Sequence, residues 1–211
     1  MRHSKLALGM CVAAALTGVA GCAKIRYPNY YLLNVPASSS TGRATPTLGP
    51  VAVRQFVSPG FLREGAIVYR ESPERLGFYY YDRWALDPRR AVTNAMVGEM
   101  QSRGAFQSVD LYDGSSTSDW IVSGTLDHLE EVDQGADVWI EVGVSARLKS
   151  IRTGEVLWQD THTKRVKVDK HSVPGVVAAM SSEMGTAVQA LVTSMLDHLS
   201  PAAPAQTSAR Q

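Results

Sequence analysis

The chain has little cysteine, since its 211 residues contain only Cys11 and Cys22. Both lie close to the amino end, and Cys11 falls in a segment that we expect to be removed. No disulfide bond can then form within the remaining chain. The fold must therefore be stabilised by packing of its apolar residues, even in an oxidising compartment.

Neither sign of charge is in excess, because 21 Lys and Arg residues stand against 20 Asp and Glu residues. This balance provides no electrostatic attraction for nucleic acid, which we do not expect as a partner. The sequence also has no glycine-rich phosphate loop and no G-x-S-x-G nucleophile elbow. We therefore expect the protein not to be an enzyme and to have no catalytic residues.

Metal sites are not indicated either. The five histidines include no pair at ligand spacing on a common helix or strand, so we expect no metal and no other cofactor. Four carboxylates do cluster, at Glu130, Glu131, Asp133 and Asp137, and paired carboxylates can act as acid and base. Because they surround the expected turn at 134–135, we interpret them as a solvated turn.

A hydrophobic run long enough to span a membrane is missing as well. The apolar stretch 6–16 is too short to cross a bilayer core of ~30 Å, and Arg2 and Lys5 precede it, as in a secretory signal. The signal ends in Val19-Ala20-Gly21-Cys22, which resembles the lipobox of bacterial lipoproteins. We predict a signal peptide at 1–21, lipidation of Cys22 and a tether at 22–28. An ordinary secretory signal with an incidental cysteine is the alternative.

The residue after the lipidated cysteine bears on localisation. Aspartate at this position retains lipoproteins in the inner membrane of enteric bacteria, whereas this chain has Ala23. We therefore expect a lipid anchor in the outer membrane, with the domain on the periplasmic face. The inner membrane is the less favoured alternative.

The alternation of apolar and polar residues predicts a sheet whose centre is a long antiparallel meander. Residues 120–126, 138–149 and 156–167 alternate at period two, and Arg152-Thr153-Gly154 predicts a hairpin between the last two. Shorter strands are expected at 30–35, 51–56, 66–70, 77–84 and 106–112.

Two amphipathic helices are predicted to cover the sheet. The first begins at Asp87-Pro88 and ends before Gly104. The second begins after Ser172 and carries apolar residues at steps of three and four up to Leu199. The fold class is thus α/β of the α+β type, with one domain at 29–199 and a disordered tail at 200–211. The other face of the second helix is rich in small residues and suggests a homo-oligomer.

The strand at 77–84 is unusually aromatic. Strict alternation would place Phe78, Tyr80 and Asp82 on one face and Tyr79, Tyr81 and Arg83 on the other. Either one face belongs to the core and the other packs on a loop, or this strand exposes a partner surface. Tyrosine, tryptophan and arginine are the residues that such surfaces concentrate.

The order of several short motifs is similar to that of a known family. These motifs are Tyr30-Tyr31-Leu32-Leu33 shortly after the lipobox, Gly49-Pro50-Val51-Ala52-Val53, Ile67-Val68-Tyr69-Arg70, and Tyr81-Asp82-Arg83-Trp84 before a helix. Together they resemble the ABC-type transport auxiliary lipoproteins, and most nearly the PqiC-like membrane-integrity lipoproteins.

The resemblance implies a periplasmic domain similar to the amino-terminal domain of the TolB protein. Such a domain would be a docking subunit for a lipid transport system made of ABC transporter components and a periplasmic MCE protein. On this hypothesis the exposed aromatic residues Tyr79, Tyr81 and Trp84 bind the partner, and no catalytic residue is implied.

Two other functions remain open from the sequence. One is an outer-membrane assembly lipoprotein that plugs a barrel. The other is a periplasmic carrier that holds lipid between sheet and helix, in a pliable pocket lined by Met180, Met184 and Met195. These methionines are equally suited to an ordinary core.

Overall fold

The alternating segments form three long antiparallel strands in the computed structural model, which describes residues 26–35, 46–114, 117–169 and 172–200. They belong to an 8-stranded sheet that is accompanied by two helices. The strands are β1 (Asn29–Tyr31), β2 (Val51–Val53), β3 (Ala66–Ser72), β4 (Arg75–Trp84), β5 (Val109–Leu111), β6 (Trp120–Gln134), β7 (Asp137–Ser150) and β8 (Val156–Lys167), and the helices are α1 (Pro88–Arg103) and α2 (Val173–Leu199).

Strand β6 organises the sheet. On one side it pairs with β7, which pairs in turn with β8, and both pairings are antiparallel, as predicted. On its other side β6 accepts two parallel neighbours, with β2 beside its first residues and β3 beside its last ones. Strand β5 extends the sheet beyond β2, and β4 and then β1 extend it beyond β3. The sheet is therefore mixed, and β1 and β8 lie at opposite edges.

The predicted helix ends are confirmed. The Asp87 carboxylate accepts a hydrogen bond from the Arg89 N–H at 2.9 Å, and Pro88 occupies the first turn of α1. Gly104 ends this helix in the left-handed conformation, with φ of 64°. At the start of α2 the Ser172 hydroxyl accepts from the Gly175 N–H at 3.3 Å. Local chemistry thus sets both boundaries of α1 and the beginning of α2.

The core lies between the apolar face of the meander and α2. Met180, Met184 and Met195 are fully buried in it, packed with the alternating residues of β7. The pliable methionine-lined pocket expected for a lipid carrier is therefore replaced by packed core. Gly185 and Ala187 of the small-residue face are buried too, while a row of small residues stays exposed and leaves the homo-oligomer a prediction.

Three of the short strands are shorter than predicted. Strand β2 stops at Val53 because the chain turns Phe56 into the core, where its N–H donates to the Thr93 hydroxyl at 3.0 Å. Likewise, regular pairing covers only Asn29–Tyr31 and Val109–Leu111. The flanking residues pack or turn without joining a strand.

Several predictions fall outside the described residues. These are the signal peptide, the lipidation of Cys22, the first part of the tether and the tail beyond residue 200. Of the helices that are described, none is long and apolar enough to cross a membrane.

Candidate functional site

A bulge in β4 decides which aromatic side chains reach the surface. Ala66 pairs with Arg83 and Val68 pairs with Phe78, so that four residues of β4 oppose the single residue Ile67 of β3. Because of these three extra residues, the side chains before and after the bulge do not keep to the two faces that strict alternation along β4 predicts. Tyr80 lies within the bulge and is 82% exposed.

The three predicted partner-binding residues have different surroundings. Trp84 is only 6% exposed and belongs to the core, so the expectation that it is exposed is wrong. The reason is that it follows the bulge and lies opposite Tyr31, on the side of the sheet that packs against the core. Tyr79 is half-buried on that side as well, with its ring edge-to-face against Tyr69 at 5.2 Å.

Tyr81 belongs to an exposed surface. Its ring is half-buried between the Arg26 guanidinium, 4.5 Å from the ring centroid, and the Tyr80 ring, 4.9 Å away. We call the surface formed by Arg26, Tyr27, Tyr30, Tyr80 and Tyr81 the aromatic edge. Its other tyrosines are open to solvent, with Tyr27 76% and Tyr30 64% exposed.

Two partly buried hydrogen bonds attach β1 to the sheet and so hold the aromatic edge together. The Asp82 carboxylate is 9% exposed and accepts from the Asn29 amide at 2.9 Å and from the Tyr31 hydroxyl at 3.0 Å. Burial and the neighbouring Asp82 raise the pKa of Tyr31, which therefore stays a donor at neutral pH. The side chains of Asn29 and Tyr31 both point toward Asp82, so the intervening Tyr30 points to the other side of the strand.

The carboxylates interpreted as a solvated turn include two that are buried, which corrects that interpretation. Glu130 is 1% exposed and forms a bidentate pair with Arg70, at 2.8 and 2.9 Å. Glu131 is 5% exposed, and its carboxylate accepts a hydrogen bond from the Tyr79 hydroxyl. Burial raises the pKa of Glu131 to about 7, the Tyr79 hydrogen bond opposes this rise, and Asp133 adds to it. These carboxylates lie where β3 pairs with β6, which the sequence alone did not reveal.

A polar groove lies on the meander, near the first residues of β6. It has a volume of about 670 Å³, and Arg54, Ser123, Ser145, Arg147 and Thr161 are among its lining residues. Arg147 donates to the Ser123 hydroxyl at 3.2 Å. The ion pairs formed among the described residues do not involve Arg54 or Arg147. One carboxylate, Asp160, also lines the groove, so its two arginines are in excess. The groove can therefore offer hydroxyl groups and net positive charge to an acidic or polar partner.

Sequence reasoning did not find this groove, because its residues come from distant parts of the chain. The Arg54 guanidinium lies 4.9 Å from the Tyr112 ring centroid, yet these residues belong to the segments after β2 and after β5. As for metals, His, Cys, Asp and Glu residues form no group of three that could hold an ion within the described ranges.

Comparisons with known proteins agree on the fold. Protein XCC0632 from Xanthomonas campestris matches 82% of this chain and 100% of its own, at 17% identity and a TM-score of 0.67. A second solved structure, described as an uncharacterized protein, matches 83% of this chain and 100% of its own, at 14% identity and a TM-score of 0.61. Among curated proteins there is no match.

The sequence itself provides the assignment. The family described as "ABC-type transport auxiliary lipoprotein component" matches residues 31–194, which run from β1 into the last turns of α2. This span is well over half of the chain and includes the whole meander. The chain therefore belongs to the family of ABC-type transport auxiliary lipoprotein components.

Proposed function

We propose that this auxiliary lipoprotein is a non-enzymatic docking subunit, anchored in the outer membrane through Cys22, for an ABC-type transporter that moves lipid with a periplasmic MCE protein. Family membership supports the association with ABC-type transport. The lipobox and Ala23 support the anchor and its membrane. The buried carboxylates have structural partners in Arg70 and Tyr79, which fits a role in positioning rather than in catalysis.

The observation that carries the proposal is the arrangement of the two sheet edges. The tether leads into β1, at one edge, and β8 is the opposite edge. Four strands lie between them, in the order β4, β3, β6 and β7. The five strand spacings from β1 to β8 correspond to about 24 Å. A domain held at the membrane by β1 therefore presents β7, β8 and the polar groove to the periplasm.

The mechanism we propose is positioning. Lipidated Cys22 fixes the domain at the membrane, and the short tether sets how far it reaches. A partner that extends across the periplasm then meets the polar groove, where Arg54 and Arg147 attract acidic groups. This replaces the hypothesis that Trp84 contacts the partner, since its side chain belongs to the core.

A crosslinked pull-down from membranes tests the proposal. We would compare wild type with Cys22→Ser, which removes the anchor, and with Arg147→Glu, which reverses a charge in the groove. Ala178→Glu, on the exposed face of α2, is the matched control for adding a carboxylate. We expect an MCE protein with wild type and with Ala178→Glu, and reduced capture with the other two variants.

Other outcomes would contradict specific parts of the proposal. Recovery of an outer-membrane barrel in place of any transporter component would support a barrel-plugging lipoprotein and overturn the docking function. Equal capture by wild type and Arg147→Glu would show that the partner does not use the groove. Undiminished capture by Cys22→Ser would show that the anchor plays no part in docking.

A further inference from the structure

The distance from Cys22 to the aromatic edge is limited by the length of the chain. Arg26 is four residues after Cys22, and four extended residues span at most about 14 Å. Arg26 is itself fixed against the domain by the Tyr81 ring. Lipidation of Cys22 would therefore keep Arg26, where it meets the aromatic edge, within about 14 Å of the residue whose acyl chains enter the bilayer.

The chemistry of the aromatic edge suits the membrane interface. Tyrosine is enriched at the headgroup level, because its ring is apolar and its hydroxyl remains hydrated. Tyr27, Tyr30 and Tyr80 are exposed, and Leu32, which follows β1, adds an aliphatic side chain that is also exposed. The Arg26 guanidinium adds a positive charge, which anionic headgroups attract.

The fold holds these residues in place instead of leaving them on a loose tether. β1 pairs with β4 in parallel register, and the Asp82 hydrogen bonds to Asn29 and Tyr31 secure that pairing. The bulge in β4 turns Tyr80 outward beside Tyr81. Acyl chains alone attach the domain to the membrane but do not orient it. A surface held rigidly in this way can also set the orientation of the domain.

We infer that the aromatic edge lies in the headgroup region of the membrane that holds Cys22, so that the domain rests on the bilayer by its β1 edge. This inference depends on the proposed lipidation of Cys22 but not on docking to an MCE protein. It assigns the aromatic edge to lipid, and a protein partner on the same surface is the outcome that would contradict it.

The cysteine content permits a direct test in the full-length protein. After cleavage and lipidation no free thiol remains, so Tyr80→Cys introduces a single site for an environment-sensitive fluorophore. Thr161→Cys, exposed on the opposite edge strand β8, is the matched control. Each labelled lipoprotein is reconstituted into vesicles of phosphatidylethanolamine and phosphatidylglycerol that contain lipids with a quencher in the headgroup region.

We expect the label at position 80 to lose most of its fluorescence and the label at 161 to keep it. A label at Leu32→Cys should likewise be quenched, and should recover its fluorescence when Tyr27, Tyr30 and Tyr80 are all replaced by serine. Equal quenching at positions 80 and 161 would overturn the inference. So would a label at 80 that is protected only when a periplasmic partner protein is added.

Two measurements keep this inference separate from the proposed function. The mass of the purified protein shows whether Cys22 carries acyl chains, and their absence would overturn the inference together with the anchor. Because the vesicles contain lipid and this protein alone, failure to capture an MCE protein leaves the quenching result unaffected.

Discussion

The Tyr79 hydroxyl lies 3.0 and 2.9 Å from the two carboxylate oxygens of Glu131, and the pair is placed between β4 and β6. Burial is the main cause that raises the pKa of each group, and the Glu131 charge raises that of Tyr79 further. With its pKa raised to about 7, Glu131 changes charge near neutral pH. Its neighbour Glu130 instead pairs with Arg70.

Replacing Glu131 by glutamine should change how stability depends on pH. A raised pKa means that the folded protein binds the Glu131 proton more tightly than the unfolded chain does. Proton binding by Glu131 therefore stabilises the folded protein. The stabilisation is complete below the ordinary glutamate pKa of 4.5 and is lost as pH rises through about 7. The glutamine, which can still accept from Tyr79, should therefore gain about 3 kcal/mol relative to wild type between about pH 4 and about pH 8.

Urea unfolding of both proteins across this range measures the difference. The other ionisable groups are the same in both proteins and cancel from the difference. A free-energy difference that stays constant with pH would contradict the expected titration of Glu131.

Replacing Glu130 by glutamine should have the opposite effect at neutral pH. The Arg70 guanidinium would keep its hydrogen bond to the Pro73 carbonyl but lose its charged partner in a mostly buried position. Breaking a buried ion pair by removing one member typically destabilises a protein by about 3 kcal/mol or more. Urea unfolding at pH 7 should show this loss for Glu130→Gln, and a variant as stable as wild type would argue against a structural role for the pair.

Much of the fold could be predicted because its signals are local. The alternation along β6, β7 and β8 predicts the meander, and Asp87, Pro88 and Gly104 predict both ends of α1 from their own chemistry. Even here β6 continues to Gln134, beyond the alternating residues 120–126 from which it was predicted. Strands are long where their own pattern is strong.

The candidate site could not be predicted, because it depends on contacts between distant segments. Alternation along β4 gives the wrong faces, since the bulge arises only when β4 pairs with β3. The sequence pattern predicts that Glu130 and Glu131 are solvated, because it does not show that β3 lies beside them. The aromatic edge likewise exists only because β1 joins β4 in parallel.

The opposite environments of two aromatic residues in β4 predict opposite mutational effects. Trp84→Ala removes a large side chain from the core and should cost about 3 to 5 kcal/mol. Tyr80→Ala removes a ring that is mostly in water and should change stability by less than about 0.5 kcal/mol. Thermal and urea unfolding measure both, and similar losses for the two variants would contradict the register of the bulged strand.

Two glycines give a further contrast in which the same substitution should have opposite signs. Gly98 lies inside α1, and a Cβ placed there would meet no atom within 4 Å. Gly98→Ala should therefore stabilise the protein by about 0.5 to 1 kcal/mol, since alanine favours the helix and restricts the unfolded chain.

Gly124 lies in β6, where a Cβ would overlap the Phe56 ring and the Ser145 backbone carbonyl oxygen. Phe56 is buried and cannot move away without disturbing the core, so Gly124→Ala should destabilise the protein by about 1 to 3 kcal/mol. Urea midpoints measured side by side separate the two effects, with Gly98→Ala above wild type and Gly124→Ala below it. Both variants add one methyl group to a glycine. Shifts in the same direction would therefore mean that Phe56 does not approach β6 closely in solution.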